Sequence, residues 1–407
     1  MIVSGWEIDR GRSYELDKTT AGTARINLID TTGDLDPTNP AYALDPGTPA
    51  AIALRNPVTA TDHTVFRGNI TRLEYDLYQT AQYATASLEL VDGMDRIAAT
   101  EMVPGFLFGP GPGFGDVPPS TTVGDVYYQA DAQTSAVAHR INQVLDEVGW
   151  PSGLREVFSG NVKLKETVYS VRSSALSVIQ DAADAEFPGV ANFYVQKDGR
   201  ATFHGRLARF NPADANYHIS TWRCGDTAAV DADATRALIF ELAYDLDAEK
   251  VLNSAIATPM GIADAGIVDQ IVADEASMDT YGVRSISFEN LLTDGGPGGT
   301  TPKVETKKFA TYYVSNYATP RVRVNRITIK RLPPGHANAA RVWALMCNVD
   351  ISDRIRLFTT HMGGGGFDED FYVEGLHYRA QPLSPDYDDV TLTLDVSPTS
   401  YYDSNPF

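Results

Sequence analysis

The sequence predicts an α+β, β-dominated protein in which a curved β-domain occurs twice, with a small α+β domain inserted between the copies. Three observations carry this. Apolar residues fall at every second position near both ends, at Ala24, Ile26 and Leu28 and again at Val390, Leu392, Leu394 and Val396, which is the period of a half-buried strand. From Ala130 onward the period becomes helical. The end of the chain also echoes its beginning. Residues 51–54 stand where 354–357 do, residues 66–72 (with Gly68) where 373–379 (with Gly375) do, and Ala84, Ala86, Leu88 and Leu90 where Val390 to Val396 do. The identities are few, so the echo is either a true repeat or two ordinary β-meanders.

Residues 1 to about 100 read as strands. The run through Ala24, Ile26 and Leu28 stops at TTGDLDPTNP, a cluster of turn formers. Strands at 51–55, 64–75 and 83–91 follow. The second switches apolar parity between Ile70 and Leu73, the mark of a β-bulge, and bulges bend sheets towards a barrel-like or strongly twisted sandwich form. Residues 104–119, PGFLFGPGPGFGDVPP, hold too many prolines and glycines for a helix or central strand. Phe106, Leu107, Phe108 and Phe114 give this loop apolar surface, which either packs on its own domain or docks on a neighbouring subunit.

Val137, Ile141, Val144, Leu145 and Val148 share one helical face that ends at Gly149, with Pro151 beyond. A second helix over 173–187 closes at Pro188-Gly189. Phe193 and Val195, the turn Asp198-Gly199, then Ala201 and Phe203 make a hairpin. Residues 239–257 and 283–288 return to strand. Residues 294–300 form a Gly-rich loop, after which Thr301 as N-cap and Pro302 in the first turn open a helix bearing Phe309, Tyr312 and Tyr313. Val322, Val324, Ile327 and Ile329 change parity at Asn325-Arg326, a second bulge. A helix over 337–347 leads to three closing antiparallel strands around Ile355, Val373 and Val390, separated by the glycine run 363–366 and by the loop of Pro382 and Pro385. The expected domains are 1–120, 121–225 and 226–407.

Composition bounds the function. At 407 residues, 43% hydrophobic and 10% aromatic, the chain can bury two to four cores and is not a disordered polymer. A net charge of −20 excludes a phosphate-neutralising grip on nucleic acid by the molecule as a whole. That charge either keeps the protein soluble or suits a surface past which DNA slides without sticking. Cys224 and Cys347 are the only cysteines, without CxxC spacing, so neither a disulfide framework nor a cysteine zinc site is indicated. No signal peptide opens the sequence and no apolar run is long enough to span a membrane, so synthesis and folding in the cytoplasm are expected.

HExxH, P-loop, GxSxG and dinucleotide fingerprints are all missing, so no catalytic residue and no cofactor are assigned. Asp30, Asp34 and Asp36 form the most metal-like run. It lacks EF-hand spacing and the closing Glu, and the same residues cap turns, so calcium binding and turn capping are its two readings. Tyr401-Tyr402 reads as interface or core surface. A glycan cleft would show Trp platforms beside carboxylates, whereas Trp6, Trp150, Trp222 and Trp343 lie in unrelated segments; a carbohydrate-active or glycan-binding β-protein of the host envelope is therefore the alternative reading.

The opening Glu7-Ile8-Asp9-Arg10-Gly11-Arg12, then Thr19-Thr20-Ala21-Gly22-Thr23-Ala24 and Gly33-Asp34-Leu35-Asp36-Pro37, resembles the start of minor tail proteins of long-tailed actinobacteriophages. The segments AVAHRINQVLDEVGWP and FYVQKDGRATFHGR, with Asp353-Arg354-Ile355, Val373-Glu374-Gly375 and Leu392 to Val396, resemble tail-tip (baseplate) hub proteins. The resemblance implies two tube-type β-domains with accessory domains between them. It further implies a homotrimer that forms a pseudo-hexameric ring around a DNA-sized channel, and a place in the virion at the tail tip. The implied partners are the tail tube or distal tail protein, other minor tail proteins and the tape-measure protein, with DNA passing through without specific binding. Many hub proteins continue into peptidase, lysozyme or receptor-binding regions. Nothing here follows Phe407, so those activities are expected in other chains.

Overall fold

The computed structural model describes residues 2–39, 44–77, 83–102, 126–128, 136–165, 167–170, 172–210, 219–260, 269–360, 365–383 and 388–403. Ile2–Gly11 (β1), Thr20–Asp30 (β2), Pro49–Asn56 (β3), Thr61–Leu77 (β4) and Ala84–Val91 (β5) pair antiparallel in the spatial order β3-β4-β5-β2-β1. Their alternation sends Ile8, Leu28, Ile52, Leu54, Ile70 and Leu90 into the core. On β4, Thr71 is skipped between the pairs Ile70↔Leu90 and Arg72↔Glu89, which is the bulge that the parity switch requires.

After β5, α1 (Gly93–Ala99) is capped by Asp92, whose carboxylate accepts from Met94 N. Helices α2 (Ala136–Glu147) and α3 (Ala175–Glu186) then pack together, burying Val137, Ile141, Val144, Val178 and Ile179. Strands Asn192–Val195 and Ala201–His204 form the expected hairpin, but not through a two-residue turn. Gln196 N donates to Arg200 O and Gly199 N to Gln196 O, with Gly199 at φ +87°, so the loop is Lys197-Asp198-Gly199 with a left-handed third residue.

Glu241–Leu246 (β6), Val322–Lys330 (β7), Arg354–Phe358 (β8), Asp368–Pro382 (β9) and Asp388–Pro398 (β10) build the second unit. Their order is β8-β9-β10-β7-β6, again antiparallel throughout. Strand for strand, this is the order of the first unit. Asn325 is the bulge residue of β7, lying between Ala243↔Arg326 and Tyr244↔Val324. Glu374 is the bulge residue of β9 against β10 and corresponds to Thr71 of β4. Superposing these two bulges places Ala84, Ala86, Leu88 and Leu90 on Val390, Leu392, Leu394 and Val396, as the sequence echo has them. It also places Leu73 and Tyr75 on Leu376 and Tyr378. Gly68 and Gly375 then fall four residues apart, so the glycine echo is not a structural equivalence.

The strand-like run over 239–257 comprises two strands, β6 and Ser254–Pro259, and the second belongs to a different, three-stranded sheet with Gln270–Ala273 and Ser285–Leu291. Helix α4 (Pro302–Tyr317) begins where Pro302 predicts, although the Thr301 side chain makes no capping bond. It carries Phe309, Tyr312, Tyr313 and Tyr317 into an aromatic core with Phe187, Tyr372, Tyr401 and Tyr402. Helix α5 (Ala339–Asn348) connects β7 to β8 and buries Val342, Leu345 and Met346.

The two units share one sheet, because β1 pairs with β9 from Trp6↔Ala380 to Gly11↔Gly375. Its strands run β3-β4-β5-β2-β1-β9-β10-β7-β6, with β8 beside the first part of β9 and, beyond β8, Thr221–Gly225 and Ala237–Leu238 added in parallel. The described residues contain no closed barrel, so the curvature is that of an open, twisted sheet. Where the pairing of β1 with β9 ends, the backbones nearly touch. A Cβ on Gly11, which sits at φ +95°, would lie 2.2 Å from Glu374 O.

Candidate functional site

The three sequence-predicted metal candidates sit in the turn after β2, each engaged by its own turn. Asp30 accepts from Thr32 N, Gly33 N and Leu35 N at 2.9–3.0 Å. Burial pushes its carboxyl up, but these amide hydrogens prevail and hold it at about 2. Asp34 accepts from Thr32 Oγ1 at 2.6 Å, and Asp36 from Thr38 N and Oγ1. Among the described residues, no group of three His, Cys, Asp or Glu side chains is placed to hold a metal ion. Phe106, Leu107, Phe108 and Phe114 lie outside the described residues. Cys224 and Cys347 are buried free thiols, both pushed up to about 12 by burial. All four tryptophans donate their indole N–H inside the fold, to Asp388, Leu154 O, Asp353 and Leu332 O in chain order, and none of them is exposed.

What the structure does assemble is a buried ionic seam where β1, β9 and the inserted segment meet. Glu374 is fully buried. It accepts from Arg12 Nε at 2.8 Å, Arg209 Nη2 at 2.9 Å and Ser397 Oγ at 2.5 Å, and it also pairs with Arg209 Nη1. Burial alone would raise this carboxyl, but the two guanidiniums outweigh it and hold it at about 2. Arg12 also donates to Asp17 O and Gly189 O, and Arg209 to the Tyr402 hydroxyl. Arg10 pairs with Asp350 at 2.9 Å and donates to Val195 O, and Glu15 pairs with Arg323 at 3.1 Å. At the rim of the seam, His377 of β9 is held between Asp9 of β1 (Nδ1, 2.6 Å) and Asp395 of β10 (Nε2, 2.8 Å). Carboxylates on both ring nitrogens fit the imidazolium, and the two hydrogen bonds raise its pKa. Sequence reasoning missed this cluster. Arg10-Gly11-Arg12 is visible as a motif, but its ionic partners Asp350 and Glu374 lie 340 and 362 residues away, the second on a bulge that only the fold positions.

The other distinctive feature is at the ends of the sheet. Among the described residues β6 pairs only with β7, and its Tyr244 and Leu246 are 49% and 65% exposed. At the opposite end β3 covers β4 only as far as Asn69, and residues 47 and 48 cover Ile70. Beyond that, β4 has β5 on one side and no strand on the other among the described residues, and Leu77 is 70% exposed.

In overall fold the chain is similar to known tail proteins. The tail protein from Neisseria meningitidis is 10% identical, with 98% of this chain and 94% of that one covered at a TM-score of 0.56. The 43 kDa tail protein of prophage MuSo2 from Shewanella oneidensis is also 10% identical, with 98% and 96% covered at 0.54. A chain of the Francisella PdpA-VgrG complex is 8% identical over 98% of this chain and 49% of its own, at 0.50. These likenesses are in fold: the chain has the fold of phage tail proteins. No family model and no curated protein matches it in sequence.

Proposed function

We propose that the chain is a structural, non-enzymatic component of a phage tail tip, a hub that forms a homotrimeric ring continuing the tail tube and lining the DNA ejection channel. The observation that carries this is the repeated strand order, β3-β4-β5-β2-β1 and β8-β9-β10-β7-β6, within one chain. Three copies of a two-unit chain present six similar units, the arrangement that joins a six-fold tube to a three-fold tip. The shared fold with tail proteins supports the virion tail as its location, and the opening motifs support the long-tailed actinobacteriophage family. In this reading residues 1–120 and 226–407 hold the tube-type units, residues 121–225 form an accessory domain, and Phe106, Leu107, Phe108 and Phe114 contact neighbouring subunits. The neighbours are the tail tube or distal tail protein, other minor tail proteins and the tape-measure protein. The net charge of −20 supports a channel that repels phosphate, so DNA passes without adhering.

Native mass spectrometry tests the assembly. Three copies of the 44.2 kDa chain give about 133 kDa. A monomer at all concentrations, or a dimer, contradicts the reading. So does measurable cleavage of cell-wall polymer by the purified chain.

A further inference from the structure

The seam inside the chain is a template for the seam between copies. If the two units are equivalent, β6 stands in the second as β1 does in the first, and the open part of β4 stands as the β1-binding part of β9. Both correspondences follow from register. Trp6 faces Ile26, which faces Leu88, while Leu242 faces Ile327, which faces Leu394; Leu88 and Leu394 are equivalent rungs. Trp6 therefore matches Leu242, Ile8 matches Tyr244 and Arg10 matches Leu246. On the other strand, the matched bulges at Thr71 and Glu374 set Leu73, Tyr75 and Leu77 on Leu376, Tyr378 and Ala380.

We propose that the outer edge of β6 in one copy pairs antiparallel with residues 72–77 of β4 in the next, in the register that β1 and β9 use within the chain. This rests on the ring reading and adds its contact. The internal pairs Trp6↔Ala380, Ile8↔Tyr378 and Arg10↔Leu376 become Leu242 opposite Leu77, Tyr244 opposite Tyr75 and Leu246 opposite Leu73. The internal residues at this seam are at most 6% exposed, whereas Leu77 and Leu246 are 70% and 65% exposed and Tyr244, whose ring packs edge-on against Phe367, keeps 49% exposure, so the equivalent surface is built but only partly covered. Leu73 and Tyr75 even repeat the identities of Leu376 and Tyr378. The two edges lie at opposite ends of one sheet, so the contact is head-to-tail, the kind that builds a ring when its rotation closes.

The opposite face differs in charge. Asp9 meets His377 inside the chain, whereas Asp245 meets Glu74 between copies. Two carboxylates directly opposite weaken a pair. Here each already has a cation, Lys250 at 3.8 Å from Asp245 and Arg72 at 3.4 Å from Glu74. The seam between copies is therefore the weaker and more salt-sensitive of the two.

A chain carrying both Tyr244→Cys and Tyr75→Cys tests the register, because Cys224 and Cys347 are buried. Mild oxidation is expected to give a covalent ladder ending at the trimer, and Tyr244→Cys with Glu74→Cys, one residue out of register, is expected to give little. Leu246→Arg, at an exposed position, is expected to weaken the trimer at least tenfold with an unchanged circular dichroism spectrum. Glu74→His, which transplants the Asp9–His377 pair, is expected to tighten it, more at pH 6 than at pH 8. A trimer without in-register cross-links, or equal cross-linking in both registers, overturns the pairing and leaves the ring standing. In-register cross-links that run past the trimer without closing overturn the ring and leave the pairing. A chain that stays monomeric at every concentration overturns both.

Discussion

Replacing Glu374 with Gln isolates what the buried seam contributes. The side chain keeps its shape, but the charge opposite Arg12 and Arg209 disappears, and one carboxylate oxygen becomes an amide that points hydrogens at guanidinium hydrogens. Both arginines are at most 3% exposed at their side chains, so water cannot take over. Breaking a buried pair from one side costs about 3–5 kcal/mol, because the remaining charge stays buried and uncompensated. In a cooperative unit of 407 residues, that corresponds to a fall in melting temperature of roughly 4–6 °C. Arg55→Ala, which removes an exposed pair with Asp62, is expected to cost at most about 0.5 kcal/mol and serves as the control. Differential scanning fluorimetry across pH adds a second check. The Glu374 carboxyl is held at about 2 against an ordinary 4.5, so its stabilisation is complete above about pH 4.5 and is lost as pH falls towards 2. The gap between wild type and Glu374→Gln should therefore close over that window. A loss under about 1 kcal/mol, or a gap that does not change with pH, refutes the argument that Glu374 is an ionised tie between the units.

The imidazolium of His377 titrates in the opposite sense. Its pKa is raised above 6.5, so its stabilisation is full below that value and is lost as pH rises through the folded-state pKa. His377→Ala should lower the melting temperature more at pH 5.5 than at pH 9, and an equal loss at both would remove the charged clamp. Gly11→Ala places a Cβ against Glu374 O in a backbone that side chains rarely adopt; a loss of about 2 kcal/mol or more in chemical denaturation is expected, and a neutral result would show that the β1–β9 pairing yields. Phe106→Ser with Phe108→Ser should weaken assembly more than it lowers the melting temperature of the separated chain, as measured by sedimentation; a sedimentation profile like that of the wild type would mean that these residues do not contact a neighbour.

Local features were legible in the sequence because they break a short period. A change of parity gave the bulges at Thr71 and Asn325, a proline in a first turn gave the start of α4, and the alternation in β5 and β10 gave the match between the units. Features set by distant pairing were not. β6 and β7 are neighbours although 75 residues separate Leu246 from Val322, so their partnership leaves no local mark. The Gly68–Gly375 echo misled because each glycine is required by a different close approach, to Val91 O in one case and to Arg12 O in the other. The ionic seam stayed hidden for the same reason. An arginine beside a glycine reads alike whether it faces solvent or Glu374, and only the pairing of β1 with β9 decides between them.

In the proposed ring, two equivalent units in one chain become six around a channel. Particle images of the purified assembly, averaged with no symmetry imposed, test it most directly. The expected image is a three-fold ring that approaches six-fold symmetry at low resolution, with the sheets of the two units alternating around an acidic lumen. A ring of another order, units that do not alternate, or a lumen lined by basic residues with the acids spread over the outside would contradict it.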